Sequence, residues 1–392
     1  MSMAKRKLTS EQIIFRALLS AVCVVFVLSA YFAFGFFFDV FAEVSPLLVL
    51  AVVLPVVVFS AKKDIGKKFV IAFTCVTLVL SVAAAAATGV IATSIPAYGQ
   101  TPECGETVTY SYSRGFMKEN YDIDQKTVIN VWLPDGYDSA KKYPVMYVLD
   151  GDNLFTYAAV KAAEHCVAGD GDVIVVGIGY GYWNASFARG GVVWQDEKHL
   201  KGRWRDFCFA DDTELGYMGD PFGGPSKRGA EFVDFLCNTV VKDVCAKFGV
   251  DKSDSTVFGH SLGGGMAAYL LTCYDPALGE ENPFNRFVIV DNGYVEYYLC
   301  HLSNLEQAMN ANGNAAFGSL TVYRIWGGSV NPEDNDEQFA LYSMLNEYGW
   351  ENFFNYFWLP QGANHGDTQT IGIDNALKMI LGLDFGCQTS MS

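Results

Sequence analysis

The most constraining stretch of the chain is residues 255–268, where a short β-branched run, Ser255 to Phe258, leads into Gly259-His260-Ser261-Leu262-Gly263 and then into the small-residue helix start Gly264-Gly265-Met266-Ala267-Ala268. A buried strand that passes directly into a helix through five residues must turn sharply. Glycine two before and two after the serine removes the β-carbons that would collide in such a turn. The pattern therefore predicts a strand–turn–helix unit, with Ser261 raised on the bend in strained dihedrals and the helix N-terminus aimed at it.

Unpaired amides at that N-terminus suit an oxyanion, and the amide of Leu262 is the expected donor. A serine of ordinary pKa needs a general base. On a strand–helix scaffold of this kind the order along the chain is serine, acid, histidine. Of five histidines only His365, in Gly362-Ala363-Asn364-His365-Gly366-Asp367, follows the last strand-like run, Phe354 to Leu359. It is the expected base, on a loop, while His165, His199, His260 and His301 read as structural or solvated. The acid is expected after the run Leu320 to Ile325, where residues 327–337 offer four carboxylates. Asp334 is preferred as lying in the loop proper. Asp336 and Glu333 are the alternatives, Asp336 also being able to cap a helix starting at Glu337. A second oxyanion donor is expected from Leu149-Asp150-Gly151-Asp152, with the amide of Asp152 placed by the glycine turn.

The rest of the chain beyond Gln100 alternates strand-like and helix-like segments. Strands are predicted at Thr107 to Tyr112, Thr127 to Leu133, Val145 to Leu149, Val173 to Ile178, Ser255 to Phe258, Phe287 to Val290, Leu320 to Ile325 and Phe354 to Leu359. Helices are predicted at Phe155 to Cys166, Arg228 to Phe248, Gly263 to Tyr274 and Glu337 to Tyr348. Several runs are apolar throughout, as parallel strands covered on both faces should be. The fold class is α/β, a mostly parallel eight-stranded sheet flanked by helices, with Gly179 to Ser226 as a cap-like excursion too long for a simple connection.

Residues 1–100 differ in kind. Ala17 to Phe38, Val44 to Ala61 and Phe69 to Gln100 are uncharged runs; the first, of twenty-two residues, is long enough to cross a bilayer as a helix, and the second, shorter and holding Pro46 and Pro55, suits a kinked span. Lys5, Arg6, Lys7 and Arg16 precede the first run, and Lys62, Lys63, Lys67 and Lys68 separate the second from the third. Basic clusters stay on the cytoplasmic side, so three transmembrane helices would place residues 101–392 outside the cytoplasm. Two domains are predicted: a multi-pass membrane region, 1–100, and an extracytoplasmic catalytic domain, 101–392.

Residues 1–100 hold eight Lys/Arg against four Asp/Glu, so with a whole-chain charge of −16 the remainder carries −20. A domain so acidic is a poor partner for nucleic acid. Eight cysteines fall after Gln100 without zinc-type spacing. They favour disulfides over a metal site.

Tyr143-Pro144-Val145-Met146-Tyr147-Val148-Leu149-Asp150-Gly151, Gly259-His260-Ser261-Leu262-Gly263-Gly264 and the segment around His365 together resemble the esterase branch of the α/β-hydrolases, the group of enterochelin esterases, feruloyl esterases, S-formylglutathione hydrolases and mycolyltransferases. The resemblance runs from about Tyr110 to the C-terminus. It implies the eight-stranded hydrolase fold, no cofactor, and acyl transfer from an ester or thioester through a serine–histidine–acid triad. That family places its acid within a few residues of the strand end, where this chain has Gly327 to Val330. Three readings follow: a membrane-anchored serine esterase acting on a small-molecule, glycan or lipid ester; an acyltransferase acting on cell-envelope glycans or lipids; and a catalytically silent binding protein on the same fold.

Overall fold

The computed structural model describes residues 101–113, 126–181, 202–203, 205–207, 228–272, 282–292, 305–307, 309–310, 319–327 and 332–387. All of these belong to one compact unit, Gly99–Asn184 with Gln195–Ser392. The three apolar runs of residues 1–100 lie outside the described residues. Among the described residues no helix is long and apolar enough to cross a membrane.

Eight strands form one sheet: β1 (Glu106–Ser113), β2 (Lys126–Leu133), β3 (Tyr143–Leu149), β4 (Ile174–Gly179), β5 (Val250–His260), β6 (Arg286–Val290), β7 (Leu320–Ile325) and β8 (Phe353–Trp358). Their spatial order is β1-β2-β4-β3-β5-β6-β7-β8. β1 with β2 and β2 with β4 pair antiparallel; all other pairs are parallel. Burial follows from composition. β4 (IVVGIG) and β7 (LTVYRI) are buried at every position, whereas β1 (ETVTYSYS) alternates between exposed and half-buried residues, as an edge strand with one wet face must.

The helices are α1 (Gly151–Ala168), α2 (Gly229–Phe235), α3 (Lys242–Lys247), α4 (Leu262–Thr272), α5 (Pro332–Glu347) and α6 (His365–Ile380), with a π-helical turn, Leu236–Val241, joining α2 to α3. The predicted helix Arg228 to Phe248 is thus continuous but widened at its centre.

Two boundaries differ in ways that matter. α5 starts at Pro332, not Glu337, because proline fits the first helical position, where its missing N–H costs nothing, and acidic residues favour a first turn. Asp334, expected in a loop, is therefore helical. α6 was not expected at all. It begins at His365 because Asn364 caps it: the Asn364 side chain accepts from the amides of Gly366 (2.8 Å) and Asp367 (3.1 Å), while Asp367 accepts from the Asn364 amide at 3.1 Å. Such reciprocal capping is worth about 1 kcal/mol, and it sets His365 on the first turn of a helix instead of a loop.

Cys104, Cys166, Cys237, Cys245 and Cys387 are free thiols, so among the described residues the expected disulfides do not form. The sulfurs of Cys104 and Cys166 instead face the Ala163 carbonyl and the Asp172 carboxylate. Cys208, Cys273 and Cys300 lie outside the described residues.

The chain order decides where a site can form. From β3 the chain moves to β4 on one side, and from β5 to β6 on the other, so a crevice opens beyond the carboxyl ends of β3 and β5. In open α/β sheets this reversal point is where ligands bind.

Candidate active site

Three strands end at this edge in a non-glycine residue with left-handed backbone: Asp150 after β3 (φ 55°), Ser261 after β5 (φ 58°) and Asp291 after β6 (φ 50°). Each costs on the order of 1–3 kcal/mol and persists only where the surroundings dictate it. Their clustering at one edge of one sheet marks the site.

At β5 the turn forms as the glycine spacing predicts. A β-carbon on Gly259 would collide with the Gly263 carbonyl, and one on Gly264 would lie 2.7 Å from the Val290 carbonyl oxygen. The Ser261 amide donates to Val290 O at 2.9 Å, which extends the β5–β6 ladder into the bend. The Ser261 carbonyl accepts from the Gly265 amide at 3.0 Å and so opens α4. Leu262 is the first residue of α4, where amides lack intrahelical acceptors.

His365 is brought to this turn by its neighbour in space, His260. The two rings lie 4.6 Å apart, and His260 Nε2 is 2.8 Å from the His365 carbonyl oxygen. A carbonyl can only accept, so Nε2 carries the proton. Burial first, and the charge of His365 second, lower the His260 pKa to about 4, and the ring is neutral near pH 7. Ser261 Oγ and His365 share no hydrogen bond in the resting structure; catalytic bonds of this kind commonly close only when substrate binds.

The carboxylate at His365 Nδ1 is Asp291, with Oδ2 at 2.7 Å. Asp291 is buried and also accepts from the Gly327 amide (3.0 Å, at Oδ1) and the Thr368 hydroxyl (3.0 Å, at Oδ2). Burial opposes its ionisation, but the bonds from His365, Gly327 and Thr368 outweigh it and hold the carboxyl below its usual range. Asp334 was the expected partner of His365; that position at the ring is held by Asp291. The physical reason lies at the end of β7, where the family's acid would stand. Gly327 is there instead, close enough to Asp291 that a β-carbon would lie 3.1 Å from Oδ2, and its amide serves the carboxylate of the neighbouring strand. Asp291 directly follows the apolar run Phe287 to Val290, as residues 327–337 follow Leu320 to Ile325, so local pattern alone does not single it out.

The turn after β3 is built from acids in structural roles. Asp152 accepts from the amides of Tyr180 (2.5 Å) and Gly181 (2.9 Å), tying the exit of β4 to the start of α1. Its own amide lies against Gly179, where a β-carbon would sit 2.8 Å away. Buried Asp150 accepts from Arg203 Nε at 2.8 Å. Of the long excursion, Phe207 packs edge-on against Phe232 and lies beside Gly263.

His260, Asp291 and His365 present three ligand-type atoms within 4.8 Å of one another. All three atoms are engaged in protein hydrogen bonds, and the Nε2 proton of His260 leaves that atom no lone pair for an ion.

Residues 121–207 match the Esterase family model. The curated ferri-bacillibactin esterase BesA of Bacillus subtilis (strain 168) is 30% identical over 126 residues, 31% of this chain and 40% of that protein. The chain spans two fifths of the length of that curated relative. In fold, the chain is similar to the BES protein from Bacillus cereus (TM-score 0.54, 20% identity, 72% of this chain and 97% of the other). It is also similar to the siderophore hydrolase EstA from Aspergillus nidulans (TM-score 0.50, 16% identity, 70% and 94%). The family match stops before Ser261, so the reading of the β5–α4 turn and of the residues around it rests on the geometry above.

Proposed function

We propose that the protein is a serine esterase in which His365 takes the proton of Ser261 as the hydroxyl attacks an ester carbonyl. Asp291, bonded to Nδ1, holds the ring in the tautomer that leaves Nε2 free to accept and stabilises the imidazolium that forms. The amide of Leu262 receives the oxyanion, with the Asp152 amide as second donor. The alcohol leaves with the proton returned by His365, and water, deprotonated by the same ring, releases the acid and restores Ser261.

One observation carries this reading: a serine in left-handed backbone between strand and helix, next in the chain to His260, whose ring lies 4.6 Å from that of a histidine with Nδ1 bonded to a buried carboxylate. The substrate class we favour is a small-molecule ester of the siderophore type. Its support is that the chain is similar to a ferri-bacillibactin esterase and, in fold, to a siderophore hydrolase. We also propose that residues 1–100 anchor the enzyme as a multi-pass membrane region with the catalytic domain outside the cytoplasm; the uncharged runs and their alternating basic flanks support this.

A fluorophosphonate probe should label the full chain at Ser261, and Ser261→Ala should lose both labelling and hydrolysis of p-nitrophenyl esters and of a ferric trilactone siderophore. Undiminished turnover by a folded Ser261→Ala variant would refute the assignment. Loss of the siderophore reaction alone, in a parent active on p-nitrophenyl esters, would remove the substrate class and leave the mechanism. Protease protection in sealed membranes tests the anchor, which predicts a catalytic domain digested only from the outer side.

A further inference from the structure

Arg203 stands where the two strained turns of the site face each other. Its Nε donates to Asp150 Oδ1 at 2.8 Å, and its Nη2 reaches the His260 carbonyl oxygen at 3.4 Å. Asp150 is the left-handed residue closing β3, and the His260 carbonyl belongs to the peptide bond that leads into Ser261, the left-handed residue closing β5. The guanidinium therefore spans the crevice between β3 and β5, with one N–H of its Nε–Nη2 edge on each turn. Its side chain is 14% exposed and that of Asp150 5%, so water screens the pair little. A β-carbon on Gly263 would lie 2.9 Å from Asp150 Oδ2, so the two turns are already in contact at the first turn of α4.

We propose that Arg203 is a positioning residue that fixes the separation of the two oxyanion-donor turns. This rests on the serine-esterase reading above. Leu262 lies two residues beyond the clamped His260 carbonyl, and Asp152 two residues beyond the clamped Asp150 carboxylate. A planar guanidinium holds both acceptors at a set distance, which a flexible ammonium cannot do. Without the guanidinium, each turn keeps its backbone strain but the distance between the two donors is free to change. Transition-state stabilisation is sensitive to shifts of about 1 Å.

The test uses the full chain carrying Arg203→Met or Arg203→Lys, assayed with p-nitrophenyl acetate, a small neutral ester, and by the rate of fluorophosphonate labelling at Ser261, with thermal unfolding alongside. For Arg203→Met, kcat and the labelling rate should fall together by about a hundredfold, with KM close to the parent value. Arg203→Lys keeps Asp150 paired but lacks the second arm. It should regain the parent's thermal stability while kcat stays about tenfold low. A lowered Tm with kcat and labelling unchanged would overturn the proposal in favour of a purely structural ion pair. A raised KM with kcat intact would overturn it in favour of a substrate contact. A parent that neither hydrolyses esters nor labels at Ser261 would instead bring down the esterase reading, and the clamp with it.

Discussion

Acidification should destabilise this domain through His260 before Asp291 responds. The ring is buried, faces His365, Asp291 and Arg203, and has its pKa lowered from 6.5 to about 4, by burial first and by the charge of His365 second. A base whose folded pKa is depressed binds its proton more readily in the unfolded chain. Between pH 6.5 and about 4 the unfolded state therefore holds the proton and the folded state does not, so stability falls as pH falls. At about 1.4 kcal/mol per pH unit, the loss is roughly 2 kcal/mol by pH 5 and roughly 3 kcal/mol by pH 4. Asp291 does not contribute in this window: its carboxyl is depressed below 3.8, so the stability it adds is present above that pH and is lost only under more acidic conditions. The assay is urea unfolding at half-unit steps from pH 7 to 4, for the parent and for His260→Gln. Glutamine can donate an N–H to the His365 carbonyl but cannot titrate. The parent should lose about 2 kcal/mol more than the variant between pH 7 and 5, at constant m-value. Parallel curves would refute the reasoning, since they would mean that His260 does not resist protonation in the folded state.

Asp291→Asn should lower kcat by about 10³–10⁴-fold by favouring the wrong tautomer of His365, whereas Asp334→Asn should leave steady-state rates near the parent value; the reverse result would return the acid to α5. Gly259→Ala should prevent the β5–α4 turn from closing, because its β-carbon collides with the Gly263 carbonyl. The readout is loss of soluble, cooperatively unfolding protein. Gly265→Ala, where a β-carbon meets nothing within 4 Å, should fold normally and serves as the control.

All eight strands lie within a few residues of where local pattern places them, because apolar β-branched runs between turn residues carry their own signal. Ser261 was legible for a related reason. The glycine spacing, the strand before it and the small-residue helix after it are contiguous, so the strained turn is written into five adjacent residues. His365 was legible by order alone, but its helix was not: Asn364 and Asp367 make a capping box in a stretch where glycines, an asparagine and an aspartate also spell a loop.

The acid needed the assembled sheet. Asp291, Gly327 and the pair His365 and Thr368 come from three separate parts of the chain, and no local pattern distinguishes the carboxylate after β6 from those that follow β7. Parallel pairing of β6 with β7 sets the Gly327 amide on Asp291, and capping of α6 turns the imidazole toward it. The Arg203 bridge is of the same kind, joining two turns that are remote in sequence from it and from each other. Local residues thus determine which elements form and where the backbone must strain. Which side chain meets which is decided by strand order and register, through contacts between residues whose separation along the chain carries no information about their separation in space.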